Sequence, residues 1–195
     1  YYTFNDICLM RFIRFVYEKD LEGIEKIDEQ SLFSTLKGRF LELVVQVTMM
    51  KFGNETVPGE PFGKTGEMTA PLFQFADTKH VKGSRSREYQ IDVYAREQVS
   101  GRIWICECKY RKRPMDMGQV RKLEDAARVI RQEEEDAGRT PPEIQMWLVS
   151  AGGFTGEVLK YVKDRHDIFF SDYDGINRIF RMYGGNYNIP VFEKT

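Results

Sequence analysis

A chain of 195 residues, 42% hydrophobic and 30% charged, is long enough for one sizeable core and has the composition of an ordinary globular protein. Its net charge of -1 argues against a protein that coats nucleic acid through bulk positive charge, and no apolar run nears the ~20 residues of a membrane-spanning helix. Three cysteines make an odd number, with Cys106 and Cys108 on one face of a single predicted strand, which argues against a disulfide framework and predicts a reduced, cytoplasmic protein.

The chain begins at Tyr1 rather than Met, which predicts a piece of something longer. Tyr2 to Phe4 reads as a short strand, and Asn5 or Asp6 can cap a helix through Tyr17 with Leu9, Phe12, Ile13 and Val16 on one stripe. Residues 20–35 are mixed and predict one short helix. Gly38 to Phe52 predicts a second, unusually apolar helix buried on more than one side. Glu42 lies in that apolar setting; it either reaches solvent near the first turn, favoured by the helix dipole, or joins a site. Gly53 to Ala76 carries Pro58, Pro61 and Pro71 and predicts mostly loop, with a short strand near 72–75.

Lys79 to Arg87 predicts a flexible basic loop. From Lys79 to Arg113 ten Lys or Arg face four acids, a local balance of +6, whereas Glu124 to Glu143 holds seven acids and three arginines. Such asymmetry steers a polyanion better than total charge does. Lys79, Lys82, Arg85 and Arg87 in this loop are therefore candidates to hold a phosphate backbone, as are Arg111, Lys112 and Arg113 further on.

Glu88 to Ala95 is rich in β-branched and aromatic residues and predicts a strand; Arg96 to Gly101 turns the chain, and Arg102 to Lys109 predicts the second strand of a hairpin. The period of two puts Ile103, Ile105, Glu107 and Lys109 on one face and Trp104, Cys106 and Cys108 on the other. Burying ionised groups costs free energy unless they are paired or bind a metal, so Glu107, Lys109 and the facing Asp92 read either as a site or as a cross-strand salt bridge.

Beyond the hairpin, Asp116 opens a helix with Val120, Leu123, Ala127 and Ile130 inward, ending in the acidic run 133–136. Gln119 on its first turn reads as solvated. Ile144 to Ser150 predicts a buried strand, Thr155 caps a helix to about Arg165, 168–170 form a strand, and Asp172 or Asp174 opens a last helix to Tyr183. His80 and His166 have no partners at ligand spacing and read as surface residues. This order predicts an α/β fold with a mixed β-sheet flanked by helices on both faces.

Asp92, followed after fourteen residues by Glu107-Cys108-Lys109, resembles the signature of the PD-(D/E)XK nuclease superfamily, with Ile rather than Pro before the aspartate. The element order is that of the restriction-endonuclease-like core. Trp147 to Ser150 with Gly153-Phe154-Thr155 resembles Mrr-like restriction endonucleases and archaeal Holliday-junction resolvases. Phe4-Asn5-Asp6, Arg11 to Tyr17, and Gly38-Arg39-Phe40-Leu41-Glu42 resemble the nuclease-like C-terminal domain of archaeal-type P-loop ATPases. There is no Gly-x-x-x-x-Gly-Lys-Ser/Thr loop, so any ATPase would lie upstream.

The resemblance implies residues 1–36 as a helical extension or interdomain element and 37–195 as a nuclease-like domain. It implies a metal-dependent phosphodiesterase acting on DNA, with RNA left open. Asp92, Glu107 and the Cys108 carbonyl would hold Mg²⁺ or Mn²⁺; Glu42 would orient a water or bind a second ion, and Lys109 would stabilise charge developing on the phosphate. Two rivals stand beside it: a catalytically silent nucleic-acid-binding or regulatory module of an ATPase, and an assembly domain, a homo-oligomer among the options, whose helix 6–17 docks on another chain.

Overall fold

The computed structural model describes residues 29–83 and 87–184; side chains are described from 38 onward. The strand 2–4, the helix 6–17 and most of the extension fall outside the described residues. Helix α1 (Glu29–Met49) leads into a small hairpin, β1 (Thr56–Pro58) with β2 (Glu67–Thr69), joined through a 3-10 turn at Glu60–Phe62. Then come β3 (Phe73–Lys82), β4 (Glu88–Glu97), β5 (Ile103–Lys109), α2 (Met117–Asp136), β6 (Ile144–Ser150), α3 (Gly156–Val162), β7 (Ile168–Ser171) and α4 (Tyr173–Met182).

The five strands β3 to β7 form one sheet in sequence order. β3, β4 and β5 run antiparallel to their neighbours; β5, β6 and β7 run parallel, because α2 and α3 carry the chain back across the sheet. The expected mixed α/β architecture is the observed one. Helices cover both faces. On one, Leu41, Val44, Val45 and Met49 of α1 and Ile176, Ile179 and Phe180 of α4 pack on Val93, Trp104, Cys106, Cys108 and Trp147. On the other, Val120, Leu123 and Ile130 of α2 and Val158 and Val162 of α3 pack on Ile103, Ile105, Met146 and Leu148. A parallel strand between two helical layers has no solvent face, and every residue of β6 is buried.

Three elements depart from the sequence expectation. Helix α1 starts at Glu29 rather than Gly38 and is continuous across the boundary drawn between 36 and 37. The stretch expected to be loop and then a basic loop supplies the β1–β2 hairpin and the ten-residue β3, so Lys79 and Lys82 lie on a strand. Helix α3 stops at Val162, short of Arg165. Asp116, Thr155 and Asp172 cap α2, α3 and α4 through their side chains. Gln119 completes a capping box by accepting from the Asp116 backbone N–H at 2.9 Å, so its part is structural.

Candidate active site

The β4–β5 ladder runs from Arg96↔Ile103 to Val93↔Cys106 and goes no further, while β5 stays paired with β6 as far as Lys109↔Ser150. A wedge opens between β4 and the end of β5. Its cause lies on the other side of β4: Asp77 pairs with Tyr94 and Lys79 with Ile91, so Asp92 and Val93 together face Thr78 alone. This is a β-bulge, which bends a strand and re-aims a side chain. Ile91 consequently packs on the α2 face and Val93 on the α1 face, a reversal that an unbroken period of two forbids. The Thr78 hydroxyl donates to the Asp92 carbonyl at 3.2 Å and ties the bulge to β3.

The bulge turns the Asp92 carboxylate toward β5. Its Oδ2 accepts the backbone N–H of Cys108 at 2.8 Å, in the region where the strand-to-strand ladder has ended. Lys109 Nζ lies 3.3 Å from the same Oδ2, 2.6 Å from Glu107 Oε1 and 3.0 Å from the Cys108 carbonyl oxygen. Glu107 and Lys109 are about 7 Å apart along the strand, and the lysine stem folds back to close that gap. The ammonium sits between the carboxylates rather than projecting toward solvent, because opposite charges out of water gain most by pairing.

The electrostatics follow from this crowding. Asp92 and Glu107 are 6% and 1% exposed. Burial, reinforced by the Asp92 charge, raises the Glu107 carboxyl above its ordinary range, with Lys109 opposing. Burial would lower the Lys109 ammonium, but the Glu107 and Asp92 carboxylates outweigh it and hold the group above its usual value. Burial likewise pushes the Cys108 thiol well up and keeps it neutral, so only its carbonyl is on offer to a hard cation.

Glu42 sits more than three turns into α1 because the helix begins at Glu29, which removes the dipole reading of a first-turn carboxylate. Burial and the nearby Asp92 charge push its carboxyl up to about 7, with Arg39 and Lys109 pulling the other way. Arg39 Nη1 stands 3.4 Å from Glu42 Oε2 from an exposed position. Glu42 is thus electrically part of the Asp92 and Lys109 cluster, although it belongs to the opposite layer from α2.

Among the described residues no group of three or more His, Cys, Asp or Glu side chains gathers as a metal site. The oxygen set here is of another kind, two carboxylates and a backbone carbonyl converging on the one point that Nζ marks. Three oxygen donors around one cationic position fit Mg²⁺ or Mn²⁺ by chemistry.

The basic residues scatter more than the sequence suggests. Lys79 lies 4.3 Å over the ring of Tyr94, and its charge, with that of Arg96, acts on Glu134 of α2. Part of the basic stretch therefore faces the acidic end of α2. Lys82 and Arg87 are exposed, Arg87 lying 5.2 Å over Tyr89, and Arg85 falls outside the described residues. Arg111, Lys112 and Arg113 follow β5 in a segment whose three carbonyls crowd Gly152, where a Cβ would stand 2.3 to 2.9 Å from them. Arg113 pairs with Asp116 at 3.3 Å. Nε and Nη2 of Arg111 are buried without a hydrogen-bond partner among the described residues. His80 and His166 are exposed; His80 has Glu88 at 3.8 Å. Thr78 and the bulge were missed by the sequence reading; their signal lies in the β3 register, which no local pattern reveals.

None of the described helices is long and apolar enough to cross a membrane. No family model and no curated protein matches the chain. Two solved structures are similar over half of it: an EndoMS complex with double-stranded DNA, at 16% identity and a TM-score of 0.34, and a repair endonuclease from Pyrococcus abyssi, at 19% and 0.31. The match covers 50% of this chain and 36% of the first, and 49% and 38% for the second.

Proposed function

We propose that this chain is a divalent-metal-dependent nuclease domain that hydrolyses phosphodiester bonds in DNA. The observation that carries the reading is the bulge at Asp92, which brings Asp92 Oδ2, Glu107 Oε1 and the Cys108 carbonyl to within 3.3 Å of one cationic position. Asp92, Glu107 and the Cys108 carbonyl would hold Mg²⁺ or Mn²⁺, which supplies Lewis-acid polarisation of the phosphoryl oxygens. Lys109 neutralises charge that builds on the phosphate as a water oxygen bonds to phosphorus and the bond to the leaving oxygen breaks. Glu42, with its carboxyl near neutrality, orients that water or takes its proton. Lys82, Arg85, Arg87, Arg111, Lys112 and Arg113 hold flanking phosphates, and Lys79 serves them from its place over Tyr94. An ATPase domain upstream would be the partner, with residues before α1 as the element between them.

The test is cleavage of duplex, single-stranded and branched DNA in Mg²⁺ and in Mn²⁺, by the unmodified chain and with its ATPase partner restored. The rival, a silent regulatory module, is favoured by the same ammonium contact, since Lys109 between two carboxylates is also what a structural salt bridge requires. No cleavage of any substrate in either metal would put that rival first.

A further inference from the structure

We propose that Lys109 and a divalent cation are alternative occupants of one position, the ammonium giving way when the ion binds. The inference rests on the nuclease reading. It starts from the fact that the ammonium touches all three oxygens assigned to the metal, Glu107 Oε1 at 2.6 Å, the Cys108 carbonyl at 3.0 Å and Asp92 Oδ2 at 3.3 Å. Mg²⁺ binds oxygen at roughly 2.0–2.1 Å, closer than any of these three contacts, so the oxygens would draw in around it. Nothing remains between them for an ammonium.

Charge decides which occupant wins. Two carboxylates and one ammonium leave a net negative charge in a place where Asp92 and Glu107 are 6% and 1% exposed, and a divalent ion removes it. The lysine stem has somewhere to go, since its side chain is 27% exposed against 2% for Glu107. Released from the carboxylates, the ammonium seeks another anion on the solvent side, where a substrate phosphate would lie. Metal uptake and phosphate contact by Lys109 are then one linked event, and each favours the other. Lys109 also offsets the repulsion between the two buried carboxylates it contacts.

The experiment titrates Mn²⁺ into the full chain and into Lys109→Met, reading bound ion by electron paramagnetic resonance. In parallel it measures the rate at which Lys109 of the unmodified chain is reductively methylated with and without Mg²⁺, by peptide mass spectrometry. The expected results are Mn²⁺ binding tighter in Lys109→Met by on the order of tenfold or more, and faster methylation of Lys109 in Mg²⁺. The methylation arm decides alone if Lys109→Met does not fold. Equal or weaker Mn²⁺ binding by a folded Lys109→Met, or methylation unchanged or slowed by Mg²⁺, overturns the proposal. If the unmodified chain nevertheless binds Mn²⁺ and cleaves DNA, the nuclease reading survives that result; if neither protein binds Mn²⁺, both fall.

Discussion

Glu97 and Glu107 lie at opposite ends of one hairpin, 6% and 1% exposed, yet meet opposite surroundings. Glu97 accepts from Trp104 Nε1 at 2.8 Å and from the Ser100 hydroxyl, and the Arg102 guanidinium stands 3.3 Å away as an ion pair. Its two neutral donors come from its own hairpin, and the guanidinium is shared with the exposed Glu143 at 3.6 Å. Glu107 shares the Lys109 ammonium with Asp92, so two carboxylates contact one cation. A buried carboxylate met by neutral donors of its own hairpin closes a turn. A buried carboxylate pair around one ammonium has the oxygen donors that the proposed metal would need, which is the contrast the variants below probe.

The largest expected effect would test that difference at once. Asp92→Asn and Glu107→Gln should remain folded and lose DNA cleavage in Mg²⁺ or Mn²⁺ by on the order of a hundredfold or more, while a Glu97 variant that folds keeps its rate. Equal loss at all three positions, measured as initial rates on one substrate, would erase the contrast. Next in size is Glu97→Ala. It strands the buried Trp104 N–H and leaves Arg102 without Glu97, and should cost roughly 2–3 kcal/mol in urea unfolding.

How much of this was legible can be read from the same hairpin. The period of two in Ile103 to Lys109 separates the α1 face from the α2 face as observed, because β5 is buried on both sides and each side chain must commit to a layer. Glu107-Cys108-Lys109 was legible for the same reason: charges continuing an apolar face are conspicuous. The aim of Asp92 was not, since it depends on which residue of β3 stands opposite. β3 hid itself by carrying Asp77, Thr78, Lys79 and His80 in mid-strand, the polar habit of an edge strand that avoids pairing with another chain. Helix α1 was shortened in the reading by Gly38, a poor helix former that packing overrides.

Smaller effects sharpen the contrast from outside the pair. If the basic residues serve the site, Lys82→Ala with Arg87→Ala should flatten the salt dependence of DNA binding by roughly one unit of slope per lost contact, read by fluorescence anisotropy across a salt series. An unchanged slope would assign both to solvent and leave Arg111 as the first candidate to examine. For Glu42 the readout is pH. Its folded carboxyl is raised from 4.5 to about 7, so the unfolded chain loses that proton first, and Glu42 withdraws stability as pH rises through this window. Glu42→Gln should therefore gain in Tm over the unmodified chain as pH climbs from 4.5 to about 7 and hold a constant lead above it. A lead independent of pH would show that burial and the Asp92 charge do not hold the Glu42 carboxyl up.

The least effect expected separates the site's charge from its scaffold on the same helix. Gly38 lies one turn before Glu42 within α1, and among the described residues a Cβ placed there would meet nothing within 4 Å. No close approach requires glycine, and its backbone is helical, so Gly38→Ala removes only the extra freedom of the unfolded chain. The variant should gain about 0.5–1 kcal/mol, the same at pH 5 and pH 8, because no charge changes. Glu42→Gln raises stability in a pH-dependent way and lowers cleavage; Gly38→Ala should raise it at every pH and leave cleavage alone. Were Gly38→Ala to cut the cleavage rate as well, the first half of α1 would be part of the substrate path.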